Sequence, residues 1–196
     1  MILPIIAYGD SVLRKMGKDI EKEHPKLEEL LSNMWETMYN AHGVGLAAPQ
    51  IGLPIRLFLV DTTPFADDED LSAEEQKTLA SFKKVFINAK ILEETGEEWA
   101  FNEGCLSIPD VREDVSRKDT VKIRYLDENF ELQEETYDGL LARVIQHEYD
   151  HIEGILFTDK LSSLKKRLIK SKLTSISKGK ISVDYRMRFP DAKKGR

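Results

Sequence analysis

The 196-residue chain predicts an α+β fold, with antiparallel, partly separated sheets packed around a central HExxH-bearing helix and an N-terminal and a C-terminal helix outside. Three observations predict it. Apolar residues recur at helical spacing in three separated segments. Two alternating runs, TVKIRYL and FELQEETY, flank Asp127, Glu128 and Asn129, which is a hairpin signal. The runs IRLFLVD and KVFINAKILEE are rich in the branched and aromatic residues that favour strands.

In chain order, the first helix spans Pro25 to Ala41, with Leu27, Leu30, Leu31, Met34 and Met38 at its spacing. Proline suits a first helical turn, and Gly43 suits the stop. GVGLAAPQIG (43–52) is too glycine-rich for helix and reads as a tight, buried loop or irregular strand. A strand follows at 55–61. Residues 62–82 are acidic and read as a surface insertion with a short helix, opened by a capping box at Ser72 and Glu75. Strands are expected at 84–94, briefly at 103–109 up to Pro109, and in the 120–137 hairpin. Asp138 is placed to cap a helix from Gly139 to about Glu153, which Gly154 stops. Its apolar face is Leu140, Leu141, Val144, Ile145 and Ile152. The last helix should turn Leu161, Leu164, Leu168 and Ile169 inward, and the final dozen residues should fray. No repeat or linker interrupts the chain, so 1–196 reads as a single catalytic domain.

Composition narrows the function classes. At 41% hydrophobic and 33% charged, with no long apolar run, the chain offers no membrane span. The start MILPIIAYGD lacks a basic region and is broken by Pro4, so no signal peptide is read. One cysteine cannot form an internal disulfide, and the expected location is cytoplasmic. The net charge of -6 conceals an asymmetry: residues 160–196 hold 13 basic and two acidic residues, a balance of +11 against -17 elsewhere. Such an arm fits a solvated helix face or an anionic partner such as ribosomal RNA. No membrane and no specific DNA partner is expected.

Chemistry gathers at His147, Glu148 and His151, the HEYDH pattern. Histidines four residues apart share a helix face and can hold one metal ion, while the intervening glutamate can reach a water that the metal activates. A catalytic site of this kind needs a third protein ligand and one open position. The long HExxHxxGxxH pattern fails at Phe157, and no glutamate follows Glu153. Asp159, Asp184 and Asp191 remain downstream, while upstream the lone Cys105 would be a soft, strong thiolate ligand.

Three motifs standing in order make the chain resemble a peptide deformylase: GVGLAAPQ (43–50), EGCLS (103–107) and QHEYDH (146–151). The similarity runs from about residue 5 to residue 160, broken by the acidic insertion. The resemblance implies metal-dependent removal of the formyl group from N-formylmethionyl nascent peptides. It implies Cys105, His147 and His151 as ligands of Fe(2+), with zinc, nickel or cobalt able to substitute. Glu148 would be the general acid and base. Gln50 and the Leu106 N–H would hold the oxyanion, and Gly45 would bring its backbone near the substrate. A methionine pocket would be walled by Val44, Phe101, Leu140, Arg143 and Val144, with Arg112 near the substrate backbone. Arg143 departs from an all-apolar wall, and its guanidinium is expected to leave toward water while the stem packs. The rival reading is an HExxH zinc peptidase.

Plainer roles cover other residues. Trp35 and Trp99 are assigned to packing, and His24 and His42 to structure. The Gly43–Gly45 segment is not a phosphate loop, because no Lys-Ser/Thr follows it.

Overall fold

The computed structural model describes residues 1–192. Strand β1 (Ile5–Ile6) leads to helix α1 (Leu27–Asn40), then β2 (Gly45–Ala47) and β3 (Leu57–Asp61). Helix α2 (Ala73–Ala80) precedes the long β4 (Lys83–Cys105), β5 (Ile108–Leu126) and β6 (Leu132–Asp138). Helix α3 (Gly139–Ile152), helix α4 (Ser163–Ser177) and β7 (Met187–Arg188) complete the chain's described elements. β2 to β6 form one antiparallel sheet in sequence order, while β1 and β7 pair as a small separate sheet. That second sheet is parallel, with Ile5 opposite Met187 and Ile6 opposite Arg188.

The main sheet carries cores on both faces. Phe58 and Val60 point to α3, where Leu141, Val144, Ile145 and Ile152 meet Phe86, Val121 and Ile123. Leu57 and Leu59 point the other way, onto Met34 and Met38 of α1. The alternation follows from the two-residue repeat of a strand buried on both sides. A third core joins Ile6 and Leu13 to Ile108, Val115 and Phe157, and to Ile169, Leu173 and Ile176 of α4.

Several expectations change. The strands foreseen at 84–94 and 103–109 belong to one 23-residue β4 and the start of β5. The intervening TGEEWAFN opens with Thr-Gly-Glu-Glu, which does not read as strand. It stays in the ladder through a register shift between Thr95 and Glu98, around Gly96 at φ 79°. EGCLS is therefore the end of a hairpin, with Cys105 paired to Ile108 and only Leu106 and Ser107 between them. In the 62–82 segment the Ser72–Glu75 capping box forms, but Leu79 and Phe82 are buried in the α3 core. Helix α1 begins at Leu27, with Lys26 rather than Pro25 at its cap.

Asp138 holds the N-cap position of α3 at the end of β6, but its side chain makes no capping hydrogen bond among the described residues. Gly139, at φ 54°, makes the turn into α3, and Gly154, at φ 74°, ends the helix as expected. On α4 the inward stripe is Ile169, Leu173 and Ile176; Leu164 and Leu168 are 60% and 69% exposed. Residue 164 lies roughly 140° around a helix from 169, so the two cannot share a buried stripe. The tail does not fray through residue 188: Ile5 N–H and Ala7 N–H donate to the Arg186 and Arg188 carbonyls at 2.9 Å. The end of DAKKGR lies outside the described residues.

Candidate metal centre

Helix α3 turns His147, Glu148 and His151 toward the hairpin tip. Ligand atoms of Cys105, His147 and His151 all lie within 4.8 Å of one another, with Cys105 Sγ 3.3 Å from His151 Nε2. Cys105 ends β4, so its position is fixed by strand pairing and the two-residue turn. His147 Nδ1 meets Glu103 Oε2 at 2.9 Å, which leaves Nε2 for the cluster. Burial disfavours charge on both histidines. At His147 the Cys105 and Glu103 contacts outweigh burial and push the imidazole up to about 10. At His151 burial, reinforced by the charge on His147, keeps the ring neutral. A thiol and two imidazoles converging this closely fit a soft divalent cation, with a position left for a fourth ligand.

Glu148 is 4% exposed, and its Oε2 has no hydrogen-bond partner among the described residues. Burial pushes its carboxyl up to about 7, within reach of proton exchange at neutral pH. Gly45 faces it: a Cβ there would stand 2.4 Å from Glu148 Oε1. Gln50 follows on a short turn. Its Oε1 accepts from Ala47 N–H at 2.8 Å, and its Nε2 points at Ser107 Oγ (3.3 Å) and Cys105 Sγ (3.5 Å). These groups open onto a cleft of about 650 Å³.

Val44, Phe101, Arg112, Arg143, Val144 and Leu106 line that cleft. Leu140 does not; one helical turn before Val144, it packs half-buried against the α3 core. Arg143 corrects the expectation of a guanidinium in water. It is 2% exposed and donates to Glu103 Oε1 (2.9 Å), Val115 O (3.0 Å) and Trp99 O (2.7 Å). Its guanidinium carbon also sits 4.6 Å from the Trp99 ring centroid. A carboxylate, two carbonyls and an aromatic face replace its water. Arg112 is exposed at the rim and donates to Asn102 Oδ1 at 2.9 Å, rather than joining an ion pair among the described residues. Of the downstream aspartates, Asp159 pairs with Arg14 and Asp184 lies 3.7 Å from His42 at the rim. Phe157, where the long zincin pattern has histidine, stacks 6.1 Å from the His147 ring.

Sequence reasoning missed the frame behind the ligands. Glu103, 3% exposed, accepts from Arg117 at 2.6 and 3.0 Å as well as from Arg143 and His147. Arg117 also donates to Asp150 at 2.7 Å. Burial opposes the Glu103 charge, but its bonds to Arg117 and His147 prevail and hold the carboxyl far below the ordinary range. The signals were present: Glu103 stands two residues before Cys105, and Asp150 occupies the variable part of HEYDH. Phe65, Ser182, Val183 and Tyr185, also unforeseen, line the cleft, as do His42, read as structural, and Asp184, read as a candidate ligand.

Residues 2–167 match the family model described as polypeptide deformylase. The peptide deformylase of Christiangramia forsetii is 72% identical over all of both chains, and that of Flavobacterium johnsoniae is 68% identical over all of both. Among solved structures, a Legionella pneumophila peptide deformylase is 37% identical, with a TM-score of 0.77 over 92% of this chain and 98% of that one. A Synechococcus elongatus peptide deformylase in complex with actinonin is 36% identical, with a TM-score of 0.73 over 95% and 92%. A chain that joins a Cys–His–His cluster to a buried glutamate, and matches this family over most of its length, belongs to the polypeptide deformylase family.

Proposed function

We propose that Cys105, His147 and His151 hold Fe(2+), and that Glu148, Gln50 and the Leu106 N–H carry out deformylation around it. The family removes the N-formyl group from nascent peptides and is a family of metalloenzymes. The observation that carries this assignment is the cluster of three candidate ligands beside a buried Glu148 whose Oε2 has no hydrogen-bond partner among the described residues. When bound, the ion supplies Lewis acidity, which acidifies water and polarises the formyl carbonyl. Thiolate ligation favours iron as the resident metal and leaves the site open to oxidation; zinc, nickel and cobalt fit the same donors.

Glu148 takes the proton of the attacking water, and its elevated pKa suits both uptake and release near neutrality. As the formyl carbon becomes tetrahedral, Gln50 Nε2 and the Leu106 N–H donate to the developing oxyanion. One such donor is typically worth about 3 kcal/mol. Glu148 then hands its proton to the departing amine, leaving formate and a free N-terminal methionine. Val44, Phe101, Val144 and the packed stem of Arg143 receive the methionine side chain, and Gly45 presents its backbone beside it. Arg112, at the rim, is placed to meet the peptide beyond.

An endopeptidase would draw its third ligand from beyond Gly154, where Phe157 is buried against His147. The deciding assay is anaerobic formate release from formyl-Met-Ala-Ser, paired with metal analysis. Glu148→Ala should keep the metal and abolish release; undiminished turnover by that variant would sink the mechanism.

The whole chain serves as one catalytic unit acting in the cytoplasm on chains leaving the ribosome. The +11 balance of residues 160–196, with exposed Leu164 and Leu168 among the lysines of α4, supports a ribosomal contact. Reversing Lys165, Arg167 and Lys172 to glutamate should weaken co-sedimentation with ribosomes. Unchanged binding would end that part of the reading.

A further inference from the structure

The chain beyond α4 turns back at Gly179 (φ 66°) and runs along the catalytic cleft, which Ser182, Val183, Asp184 and Tyr185 line. It is then locked to the N-terminus by the β1–β7 pairing. Half-buried Tyr185 donates its hydroxyl to the Leu106 carbonyl at 2.8 Å. The next carbonyl, that of Ser107, accepts from Tyr8 N–H, also at 2.8 Å. Both residues of the two-residue turn are thus gripped from outside the hairpin, one by each end of the chain.

Three functional groups leave that turn: the Cys105 thiol, the Leu106 N–H and Ser107 Oγ, which accepts from Gln50. The match to the family model ends at residue 167, so Tyr185 lies outside it. We propose that Tyr185 is a positioning residue for deformylation, holding the Leu106 carbonyl so that the Leu106 N–H and Gln50 are aimed at the oxyanion. The N–H and carbonyl of Leu106 flank one Cα in adjacent peptide units, so a turn released at the carbonyl re-aims the N–H. The walls proposed to receive methionine, Val44, Phe101 and Val144, lie on the loop before β2, on β4 and on α3; Tyr185 lines the same cleft, but its hydroxyl is engaged with the Leu106 carbonyl. Loss of the hydroxyl should therefore slow the chemical step and spare substrate binding.

The test is Tyr185→Phe in the full-length, metal-loaded protein. We expect kcat for formyl-Met-Ala-Ser to fall about five- to tenfold, the worth of one hydrogen bond, with KM within about twofold. Amide hydrogen exchange at residues 104–108 should quicken, while exchange in α3 and the metal content stay as in the parent. Unchanged kcat overturns the proposal whatever the exchange shows. A fall in kcat that comes with lost metal or faster exchange throughout α3 overturns it too, because the hydroxyl would then be merely structural. The proposal rests on the oxyanion role given to this turn, and Gln50→Leu tests that role by itself. Full activity in Gln50→Leu removes the oxyanion reading; a slow Gln50→Leu beside a fully active Tyr185→Phe sinks only the role of Tyr185.

Discussion

Replacing Gly45 with alanine adds one methyl group where β2 faces α3. Gly45 pairs with Val60 in a strand, outside the left-handed region, so alanine meets no backbone strain. The cost is contact. An added Cβ would lie 2.4 Å from Glu148 Oε1, 2.6 Å from Cδ and 2.7 Å from Cγ. Non-bonded heavy atoms settle nearer 3.5 Å, so the carboxylate must retreat by about 1 Å. A displacement of that size at a reacting group costs on the order of 100-fold in rate, or about 3 kcal/mol of barrier. Overpacking should also lower stability by about 1–3 kcal/mol. None of the three ligand side chains is among the nearest atoms to the new methyl group, so metal content should hold. Formate release, metal analysis and a thermal melt on one preparation separate these effects. A Gly45→Ala variant within threefold of the parent kcat would refute the claim that Gly45 exists to admit Glu148.

Other consequences can be measured. Glu103→Gln leaves Arg117 and Arg143 short of a buried partner and should cost about 3–5 kcal/mol in denaturant melts. The same change releases His147 Nδ1 and should weaken metal affinity about 10- to 100-fold in a competition titration. Cys105→Ala should lose most of its metal; full occupancy by elemental analysis would place the third ligand elsewhere. Glu135 is held below the ordinary carboxylate range: burial opposes its charge, but bonds from Lys84 (2.7 Å), Tyr125 and Tyr137 prevail. A depressed folded pKa gives stability that is present above the unfolded value near 4.5 and lost as pH falls through the folded one. Melting temperature should therefore fall less steeply in Glu135→Gln than in the parent between about pH 5 and pH 3. Parallel profiles would show that Glu135 contributes nothing to acid sensitivity.

Local chemistry explains how much of this was legible beforehand. Helix α3 announces itself because its apolar face, its glycine stop and its two histidines all obey one period. The β5–β6 hairpin is equally plain, since alternation and turn residues agree. Residues 95–102 were opaque because a bulged, largely exposed strand around Gly96 shows no clean two-residue alternation. Leu164 and Leu168 misled because a leucine pair four residues apart fits any stripe on α4, and only tertiary contact selects Ile169, Leu173 and Ile176. The proposed metal ligands, Glu148 and Gln50 stand in local motifs, so their convergence could be expected. Arg117, Arg143 and Tyr185 act through partners 14, 40 and 79 residues away, which no local pattern encodes.

Those distant partners answer one electrostatic problem. The centre must be neutral enough to bury and yet hold a cation against a thiolate and a carboxyl. Glu103 and Asp150 offset Arg117 and Arg143 behind His147, with Lys160 reaching Asp150 from outside at 3.4 Å. Glu148 is left outside that set, with one oxygen unpartnered and Gly45 in front of it. Of the buried carboxylates Glu103, Glu148 and Asp150, only Glu148, given the proton-transfer role, is not tied to an arginine among the described residues. Pairing Glu148 in the same way would pull its pKa down from about 7 and remove its capacity to return a proton to the leaving amine. The arginine at 143 is then less a departure in the substrate wall than a second guanidinium bonded to the carboxylate that His147 meets. Arg143→Leu should accordingly weaken metal binding more than it changes KM for formyl-Met peptides. A change confined to KM would assign Arg143 to the substrate instead.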